Sequence, residues 1–381
     1  MRIIAVVTGT RAEYGYLKPL MEAIEKDNQL RLIPIITGMH LLLDFGNTST
    51  LVKKDFPKSV KIPMDLHGDT LKDMADYLAS GITNFAEYFS THRPDILIVL
   101  GDRSESLAAA LAAIYLNIPI AHINGGDVTG TTVDESIRHA ITKIAHIHFT
   151  HTARNAERVK KMGEDENRIF ITGALTIDTI LHAPLSPKVT IFNKYHLDPN
   201  QPTFLVVQHP ITTLMDRGYT QLKELFLALG TLKKQTILLY PNCDAGSRKF
   251  IDLIKRYEKT PYLHILRNIP HEDYLSLMKS VDLMIGNSSS GIIEAPSFKI
   301  PVINIGTRQQ GRERSDNIID IKPEKEKILK AIDFCLHDKN FREKLSKCEN
   351  KFGDGYAAQR IVNILKSVEI GEKLILKQIT Y

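Results

Sequence analysis

The sequence has little cysteine, and its cysteines form no recognisable pattern. The three present, Cys243, Cys335 and Cys348, are odd in number and lack CxxC spacing. A disulfide framework needs paired cysteines and a structural zinc site needs closely spaced ones, so neither is predicted. We therefore expect a chain that works in a reducing compartment and carries no metal.

Long hydrophobic runs and long basic runs are absent as well. No stretch of about eighteen apolar residues occurs, so no transmembrane helix is predicted. The apolar residues 3–7 pass directly into Thr8 and Gly9, which is typical of a first β-strand and not of a signal peptide. No run of Lys and Arg exceeds two residues, and a net charge of +5 is small for 381 residues. These features argue against nucleic-acid and membrane binding and favour a cytoplasmic protein with a small anionic ligand.

Short runs rich in Val and Ile alternate with segments of helical periodicity, which predicts βα units and a parallel sheet. The first half has predicted strands at residues 3–7, 32–36, 96–100, 120–123, 147–150 and 169–171, with helices at 17–26, 71–90, 104–117, 134–145 and 152–162. The second half has predicted strands at residues 204–208, 236–240, 262–266, 283–285 and 302–305, with helices at 221–229, 247–257 and 271–279. A stretch punctuated by prolines, residues 182–187, separates the two series and predicts a linker.

We therefore predict an α/β fold with two doubly wound domains in tandem. The predicted bounds are residues 1–182 for an N-terminal domain and 190–360 for a C-terminal domain, followed by a helix at 361–381 that packs back on the first domain. In open parallel sheets, ligands bind beyond the carboxyl ends of the strands. The residues that follow each strand are therefore the candidates for function.

A turn bracketed by glycines, Thr8-Gly9-Thr10-Arg11-Ala12-Glu13-Tyr14-Gly15, follows the first predicted strand. It lacks the glycines of GxGxxG and the lysine of GxxxxGK[ST], so neither nucleotide-binding motif is present. Two interpretations stay open. Either backbone amides and Arg11 face a diphosphate at a helix N-terminus, or this is an ordinary turn between a strand and a helix.

Carboxylates follow two neighbouring strands of the first half. Asp102 follows the strand at 96–100, the string HINGGD ends in Asp127 after the next strand, and Asp134 and Glu135 open the following helix. Acids at adjacent strand ends converge on one place, where general acid–base catalysis needs paired titratable groups. Each acid by itself could instead cap a turn or favour a helix dipole, but their joint placement favours catalysis.

The second half carries groups suited to a phosphate and a ribose. His209 follows its first strand, and the string GNSSSGIIE, which contains Ser288 and Ser289, follows the fourth. A Gly/Ser run that opens a helix offers free N–H groups and hydroxyls to phosphate oxygens. Glu294 is predicted about two turns into that helix, where it could accept both ribose hydroxyls. The competing interpretations are an ordinary loop histidine and a glutamate on a solvated helix face.

The strings GTRAEYG, GDR, HINGGD, DESIRHAITK, QHP, YPNCDAGS, GNSSSGIIEAP and PVINIGTRQQGRE occur in this order. In order and spacing they resemble the hydrolysing UDP-N-acetylglucosamine 2-epimerases of bacterial sialic-acid synthesis. They are also similar to the epimerase half of the bifunctional animal enzyme. The likeness runs from Met1 to about residue 370, so no kinase half is expected.

The resemblance implies a GT-B fold, with two Rossmann-like domains and an active site between them, in a homodimer or higher homo-oligomer that needs no cofactor. It implies UDP-binding roles for Arg11, His209, Asn242, Asn268, Ser288, Ser289, Glu294 and Arg308. It implies a catalytic set of Asp102, Asp134, Asn124, Asp127 and His209, in which Asp127, together with the nearby His122, is a weaker candidate. The implied reaction is anti-elimination of UDP to a 2-acetamidoglucal, followed by hydration to free N-acetylmannosamine.

One position departs from the family. Where the sialic-acid enzymes carry glutamate in the string HIEGGE, this chain has Asn124, and a neutral amide cannot act as a general base. Either Asp102 or Asp134 then moves the proton, or Asn124 orients a water or the acetamido group while another acid works. The departure also makes a nucleotide-linked 2,4-diacetamido-trideoxyhexose, as in legionaminic-acid synthesis, an alternative substrate. Three more functions stay open: a non-hydrolysing epimerase, a GT-B glycosyltransferase and a binding protein without turnover.

Overall fold

The computed structural model of the protein describes residues 1–42, 47–68, 70–128, 133–209, 215–240, 247–267 and 269–380. The chain divides into two compact units, one of Met1–Thr179 with Phe352–Tyr381 and one of Ile180–Lys351. We call them unit 1 and unit 2. No helix in the described part of the chain has both the length and the apolar character that a membrane crossing requires.

Unit 1 is built on a seven-stranded sheet in which every neighbouring pair is parallel. Its strands are β1 (Arg2–Thr8), β2 (Leu30–Ile36), β3 (Val60–Lys61), β4 (Ile96–Leu100), β5 (Ile120–Ile123), β6 (Ile147–Thr150) and β7 (Ile169–Ile171). The order in the sheet is β3-β2-β1-β4-β5-β6-β7, so the winding direction reverses between β1 and β4. All five residues of β4 are buried, as expected for a central strand covered on both faces.

Helices cover both faces of this sheet. They are α1 (Arg11–Lys26), α2 (Ser49–Asp55), α3 (Leu71–Thr91), α4 (Ser104–Tyr115), α5 (Val133–Ile144) and α6 (Ala153–Lys161). The next helix, α7 (Leu175–His182), begins in unit 1 and contains the boundary between the two units. Alternate residues of β1 enter opposite cores: Ile4 and Val6 pack with residues of α1, and Ala5 and Val7 with residues of α3 and α4.

Unit 2 repeats this winding in a six-stranded parallel sheet of order β10-β9-β8-β11-β12-β13. Its strands are β8 (Thr203–Val207), β9 (Gln235–Leu239), β10 (Leu263–Leu266), β11 (Leu283–Gly286), β12 (Val302–Ile305) and β13 (Ile318–Ile321). Its helices are α8 (Lys188–Lys194), α9 (Met215–Leu232), α10 (Ser247–Lys255), α11 (His271–Ser280), α12 (Ser289–Ile293), α13 (Lys325–His337) and α14 (Lys339–Ser346). The edge strands β3 and β13 are missing from the sequence prediction, because β3 is only two residues long and β13 has no fully buried residue.

After α14 the chain returns to unit 1 through α15 (Ala357–Ser367) and α16 (Glu372–Ile375). The predicted boundary at residue 360 therefore falls inside a helix of unit 1. The physical reason is long-range: the carboxylate of Asp178 accepts hydrogen bonds from the N–H groups of Ala357 and Ala358 at 2.9 and 2.7 Å, which caps α15. The buried face of α15 then packs in the same core as α1.

Candidate active site

The carboxyl ends of β4 and β5 in unit 1 are joined by one buried arginine. Arg138 of α5 is only 3% exposed and forms an ion pair with Asp102, the second residue of the turn after β4. Its second terminal nitrogen donates to the backbone oxygen of Asn124, after β5, at 3.2 Å. Sequence reasoning missed Arg138. The available signal was its spacing of one helical turn after Asp134, which places the two on one face of α5.

Two of the other acids that the sequence singled out, Asp134 and Asp127, act electrostatically on Asp102. Burial raises the pKa of the Asp102 carboxyl, and the negative charges of Asp134 and Asp127 act in the same direction. The positive charges of Arg138 and Arg103 oppose this shift without cancelling it. The structure thus brings three of the five predicted catalytic residues within electrostatic range of one another. A carboxylate whose pKa is raised is a stronger base than an ordinary aspartate, and the ion pair with Arg138 fixes its position.

The backbone conformation of the loop after β5 accounts for two of its residues, Asn124 and Gly126. Asn124 has a φ of 71°, in the left-handed region that asparagine tolerates better than glutamate. Gly126 has a φ of 75°, and a Cβ there would lie 2.3 Å from the backbone oxygen of Asn155, so only glycine fits. Among the described residues, the Oδ1 atom of Asn124 is buried and has no hydrogen-bond partner. It is therefore available as an acceptor for a ligand N–H group.

His122 has a structural environment and not a catalytic one. Its Nε2 donates to the backbone oxygen of Gly101 at 2.8 Å, and its Nδ1 lies 3.2 Å from the hydroxyl of Thr142. Burial lowers the pKa of the imidazole to about 3. The ring is therefore neutral, and both its nitrogens are engaged. It holds Gly101, the residue before Asp102, in place, so its weaker candidacy for proton transfer does not fit the structure.

Three of the amides in the turn after β1 are already hydrogen-bonded within the turn. A carboxylate oxygen of Glu13 accepts from the N–H groups of Gly9 and Thr10 at 2.9 and 3.0 Å, and the hydroxyl of Thr10 accepts from the N–H of Glu13 at 3.2 Å. This is a capping box, whose T-x-x-E signature is legible in the sequence. It starts α1 at Arg11, earlier than predicted. The amide interpretation is wrong for these three donors, which leaves Arg11, an exposed side chain, as the candidate contact.

At the carboxyl ends of β8 and β11 in unit 2, a second residue that sequence reasoning missed holds the loops together by hydrogen bonds. Asn287 is fully buried and forms a reciprocal pair with the backbone of His209, accepting from its N–H at 2.7 Å and donating to its oxygen at 2.9 Å. At Gly286 a Cβ would lie 2.1 Å from the backbone oxygen of Val207, so β8 and β11 approach each other as closely as glycine allows. Arg308 donates to the backbone oxygen of Asn287 at 3.0 Å. The predicted UDP ligands His209 and Arg308 thus both bond to one central asparagine.

The serine run after β11 forms a shorter helix than predicted. Ser288 is the N-cap of α12, and its hydroxyl accepts from the N–H of Ser290 at 3.4 Å, so Ser289 is the first helical residue. The helix ends at Ile293, and Glu294 is its C-cap, which corrects the expectation that Glu294 lies two turns inside. A 3₁₀ turn, Ala295–Phe298, follows directly and turns the chain.

Glu294 is buried and incompletely paired. It is 8% exposed, and in the part of the chain that the structure describes its Oε2 atom has no hydrogen-bond partner. Burial raises the pKa of the carboxyl to about 7. The interpretation of Glu294 as part of a solvated helix face is therefore wrong. A buried carboxylate oxygen without a partner is costly, and a donor from a bound ligand would remove that cost.

Two predicted UDP ligands, Asn242 and Asn268, lie outside the described residues. Among the residues that are described, no three His, Cys, Asp or Glu side chains cluster so as to hold a metal ion.

Two parallel sheets of this order, one in each unit, define a class of α/β proteins, the GT-B fold, and solved structures confirm that part of the prediction. The structure of the UDP-N-acetylglucosamine 2-epimerase from Neisseria meningitidis bound to UDP-N-acetylglucosamine matches with a TM-score of 0.80 at 20% identity. The match covers 97% of this chain and 100% of the Neisseria chain. The Staphylococcus aureus MnaA–UDP structure matches with a TM-score of 0.76 at 22% identity, covering 96% of each chain. At these identities the likeness concerns the fold.

The chain belongs to the UDP-N-acetylglucosamine 2-epimerase family, whose model matches residues 22–366. It is 36% identical to the hydrolysing UDP-N,N'-diacetylbacillosamine 2-epimerase of Legionella pneumophila, over 99% of both chains. The hydrolysing GDP/UDP-N,N'-diacetylbacillosamine 2-epimerase of Campylobacter jejuni is 35% identical over 84% of each chain. The UDP-N-acetylglucosamine 2-epimerase of Neisseria meningitidis is 32% identical over 87% of each. The protein is therefore an epimerase of a nucleotide sugar.

Proposed function

We propose that the protein is a hydrolysing 2-epimerase whose substrate is a UDP-linked 2,4-diacetamido-trideoxyhexose, UDP-N,N'-diacetylbacillosamine. The observation that carries the proposal is the 36% identity to the Legionella enzyme across nearly the whole of both chains. The buried acceptor of Asn124 supports it, because an amide oxygen can receive the N–H of a second acetamido group where a carboxylate would bring a further negative charge.

The proposed chemistry begins with a C–H bond that is not acidic. Loss of the C2 proton has to be coupled to departure of UDP from C1: a base takes the proton, its bonding pair forms the C1–C2 double bond, and the C1–O bond breaks toward the diphosphate. We assign the base to Asp102, since its raised pKa favours proton acceptance and its ion pair with Arg138 holds the carboxylate in place. Water then adds its hydroxyl to C1 and loses a proton to solvent, while C2 receives a proton from the opposite face through Asp134, which takes it from solvent. The proton that Asp102 accepted is released to solvent, so one proton is released per turnover. The products are UDP and the free C2 epimer.

Unit 2 is proposed to bind the leaving group. The hydroxyls of Ser288 and Ser289, with His209 and Arg308, supply hydrogen-bond donors and positive charge to the diphosphate as negative charge develops on it. Glu294 accepts the ribose hydroxyls, which satisfies its buried oxygen. This division leaves the acids of unit 1 to the proton transfers and the donors of unit 2 to the departure of UDP.

The second candidate substrate is UDP-N-acetylglucosamine, because a relative 32% identical to this chain is a UDP-N-acetylglucosamine 2-epimerase. The sialic-acid pathway, implied by the resemblance, has similar support from the 34% identity to an Escherichia coli polysialic acid biosynthesis protein over 96% of this chain. The homodimer and the cytoplasmic location stay predictions, and light scattering on the purified protein measures the first.

The deciding experiment is proton NMR of each nucleotide sugar incubated with the protein in D₂O. We expect free UDP and a free sugar that carries deuterium at C2, with a higher kcat/KM for the diacetamido substrate. A C2 epimer still attached to UDP would identify a non-hydrolysing enzyme. Preference for UDP-N-acetylglucosamine would select the second candidate, and no UDP release from either substrate would refute the proposal.

A further inference from the structure

The segment Glu372–Thr380, which we call the strap, lies across unit 1 and is bonded to it at both ends. The guanidinium of Arg168 donates to three strap carbonyls, those of Lys373, Leu374 and Leu376, at 2.8, 2.7 and 3.4 Å. At the far end, the N–H of Thr380 donates to the oxygen of Gly163 at 3.0 Å. Ile379 packs against Gly163, where an added Cβ would lie 2.6 Å from its Cγ1. The strap therefore has a defined position on unit 1.

Between these anchors, Lys377 reaches the carbonyl end of α5. Its Nζ donates to the oxygen of Ala145 at 2.7 Å, to that of Lys143, and more weakly to that of Thr142 at 3.4 Å. The last carbonyls of a helix have no partner within it and carry the negative end of the helix dipole. An ammonium group that donates to these carbonyls supplies their missing hydrogen bonds and places a positive charge at the negative end of the dipole. Lys377 therefore caps α5 from a distant part of the sequence.

The same ammonium is held by a buried carboxylate. Glu164 is 0% exposed, and it accepts from Lys377 and Lys143 at 2.6 Å each and from Nε2 of His148 at 3.0 Å. Burial of Glu164 would raise its pKa, but the hydrogen bonds from His148, Lys143 and Lys377 outweigh burial and lower it to about 2. Glu164 is therefore ionised at any pH at which the protein functions, and it fixes Lys377 over the helix end.

The opposite end of α5 carries the acids and the arginine of the candidate site. Asp134 lies in its first turn, and Arg138, one turn later, pairs with Asp102 and bonds to Asn124. Farther along, the hydroxyl of Thr142 contacts His122, which holds the residue before Asp102. Because these partners lie on two different strand ends, a small shift of the helix along its axis changes both contacts of Arg138. The end of α5 that Lys377 caps is thus connected through the helix and Arg138 to Asp102, the proposed general base.

We propose that Lys377 is a positioning residue for catalysis, which fixes α5 so that Arg138 holds Asp102 in its working geometry. The inference rests on the proposed function, in which Asp102 takes the C2 proton. Lys377 bonds to the end of α5 and to Glu164, and these partners are separate from the residues proposed to react or to bind UDP. Its loss should therefore slow the proton transfer and leave UDP binding unchanged.

The test compares Lys377→Met and Lys377→Arg with Lys373→Met, a matched control in which an exposed lysine of the same strap is changed. Misplacement of a catalytic group by about 1 Å can cost on the order of 100-fold, so we expect Lys377→Met to lower kcat by about 10- to 100-fold with little change in KM. Arginine can donate to the same carbonyls and to Glu164, so Lys377→Arg should recover most of kcat. A kcat within twofold of wild type in folded Lys377→Met would overturn the inference.

Hydrogen exchange, followed by mass spectrometry, provides a readout that does not depend on the substrate. Peptides that cover α5 should exchange faster in Lys377→Met than in Lys373→Met, and unchanged exchange would refute the capping role even if the protein had no epimerase activity. Faster exchange with unchanged kcat would refute the positioning role alone. If Lys377→Met does not fold, Lys377→Gln, which keeps two donors and loses the charge, replaces it with the same expected order of effects. Absence of turnover in the wild type would refute the proposed function and leave the exchange test of the cap intact.

Discussion

Replacing Glu294 by glutamine tests the buried carboxylate of unit 2, because the change keeps the shape of the side chain and removes its charge. Burial raises the pKa of Glu294 from an ordinary value of 4.5 to about 7 in the folded state. Between these two pH values the folded protein binds more protons than the unfolded chain, so stability falls as pH rises through this window. The cost of the charge is fully present above about pH 7 and corresponds to about 3 kcal/mol.

Glutamine does not titrate, so the stability of the variant relative to wild type should increase as pH rises. We expect the free energy of unfolding of Glu294→Gln, relative to wild type, to increase by about 2 kcal/mol between pH 5 and pH 8. Urea denaturation at the two pH values measures this difference, and any constant cost of burying the amide cancels from it. At the same time UDP should bind about 10- to 100-fold more weakly by calorimetry, since a hydrogen bond to a charged group contributes about 1.5–3 kcal/mol.

The matched control is Glu349→Gln, which changes an exposed glutamate of the same unit. It should alter neither the pH dependence of stability nor the affinity for UDP. The reasoning is refuted if Glu294→Gln and wild type show the same pH dependence of unfolding. The Glu294 carboxyl would then have the same pKa in the folded and unfolded states, and its burial would carry no cost for the charged form. Unchanged UDP affinity would separately remove Glu294 from the binding site.

Three further substitutions test other parts of the site. Asp102→Asn should lower turnover by about 10²–10⁴-fold while UDP still binds, because only the charge and the proton-accepting ability are lost; near-normal turnover would exclude Asp102 as the base. Asn124→Gly, which tolerates the left-handed backbone and removes the buried acceptor, should lower kcat/KM for the diacetamido substrate by an amount equivalent to about 1–3 kcal/mol, more than for UDP-N-acetylglucosamine, because the N–H of the second acetamido group loses its partner; equal changes on both substrates would show that Asn124 does not select between them. Asn287→Asp should weaken UDP binding by about tenfold in calorimetry, since the donor to the oxygen of His209 is replaced by a charge; wild-type affinity would refute its role in placing His209.

Local patterns were enough to predict most of the elements of both sheets. Continuous apolar runs such as β4 are legible because a strand covered on both faces needs an apolar side chain at every position. The gathering of Asp102, Asp127 and Asp134 was also predictable, since the carboxyl ends of neighbouring parallel strands meet at one edge of the sheet. The capping box of Thr10 and Glu13 could also be recognised from the sequence, and overlooking it led to the wrong start of α1.

The sequence by itself therefore determined the fold class, the family and the edge of each sheet at which the polar residues collect. Only the tertiary structure decided which of these residues meet. Arg138 pairs with Asp102 across 36 positions, Asn287 clamps His209 across 78, and Lys377 caps α5 from more than 230 positions away. No local propensity encodes such pairs, because they form only after the strands have set the positions of the loops. The burial of Glu294 belongs with them, since a residue's exposure depends on what the rest of the chain packs against it.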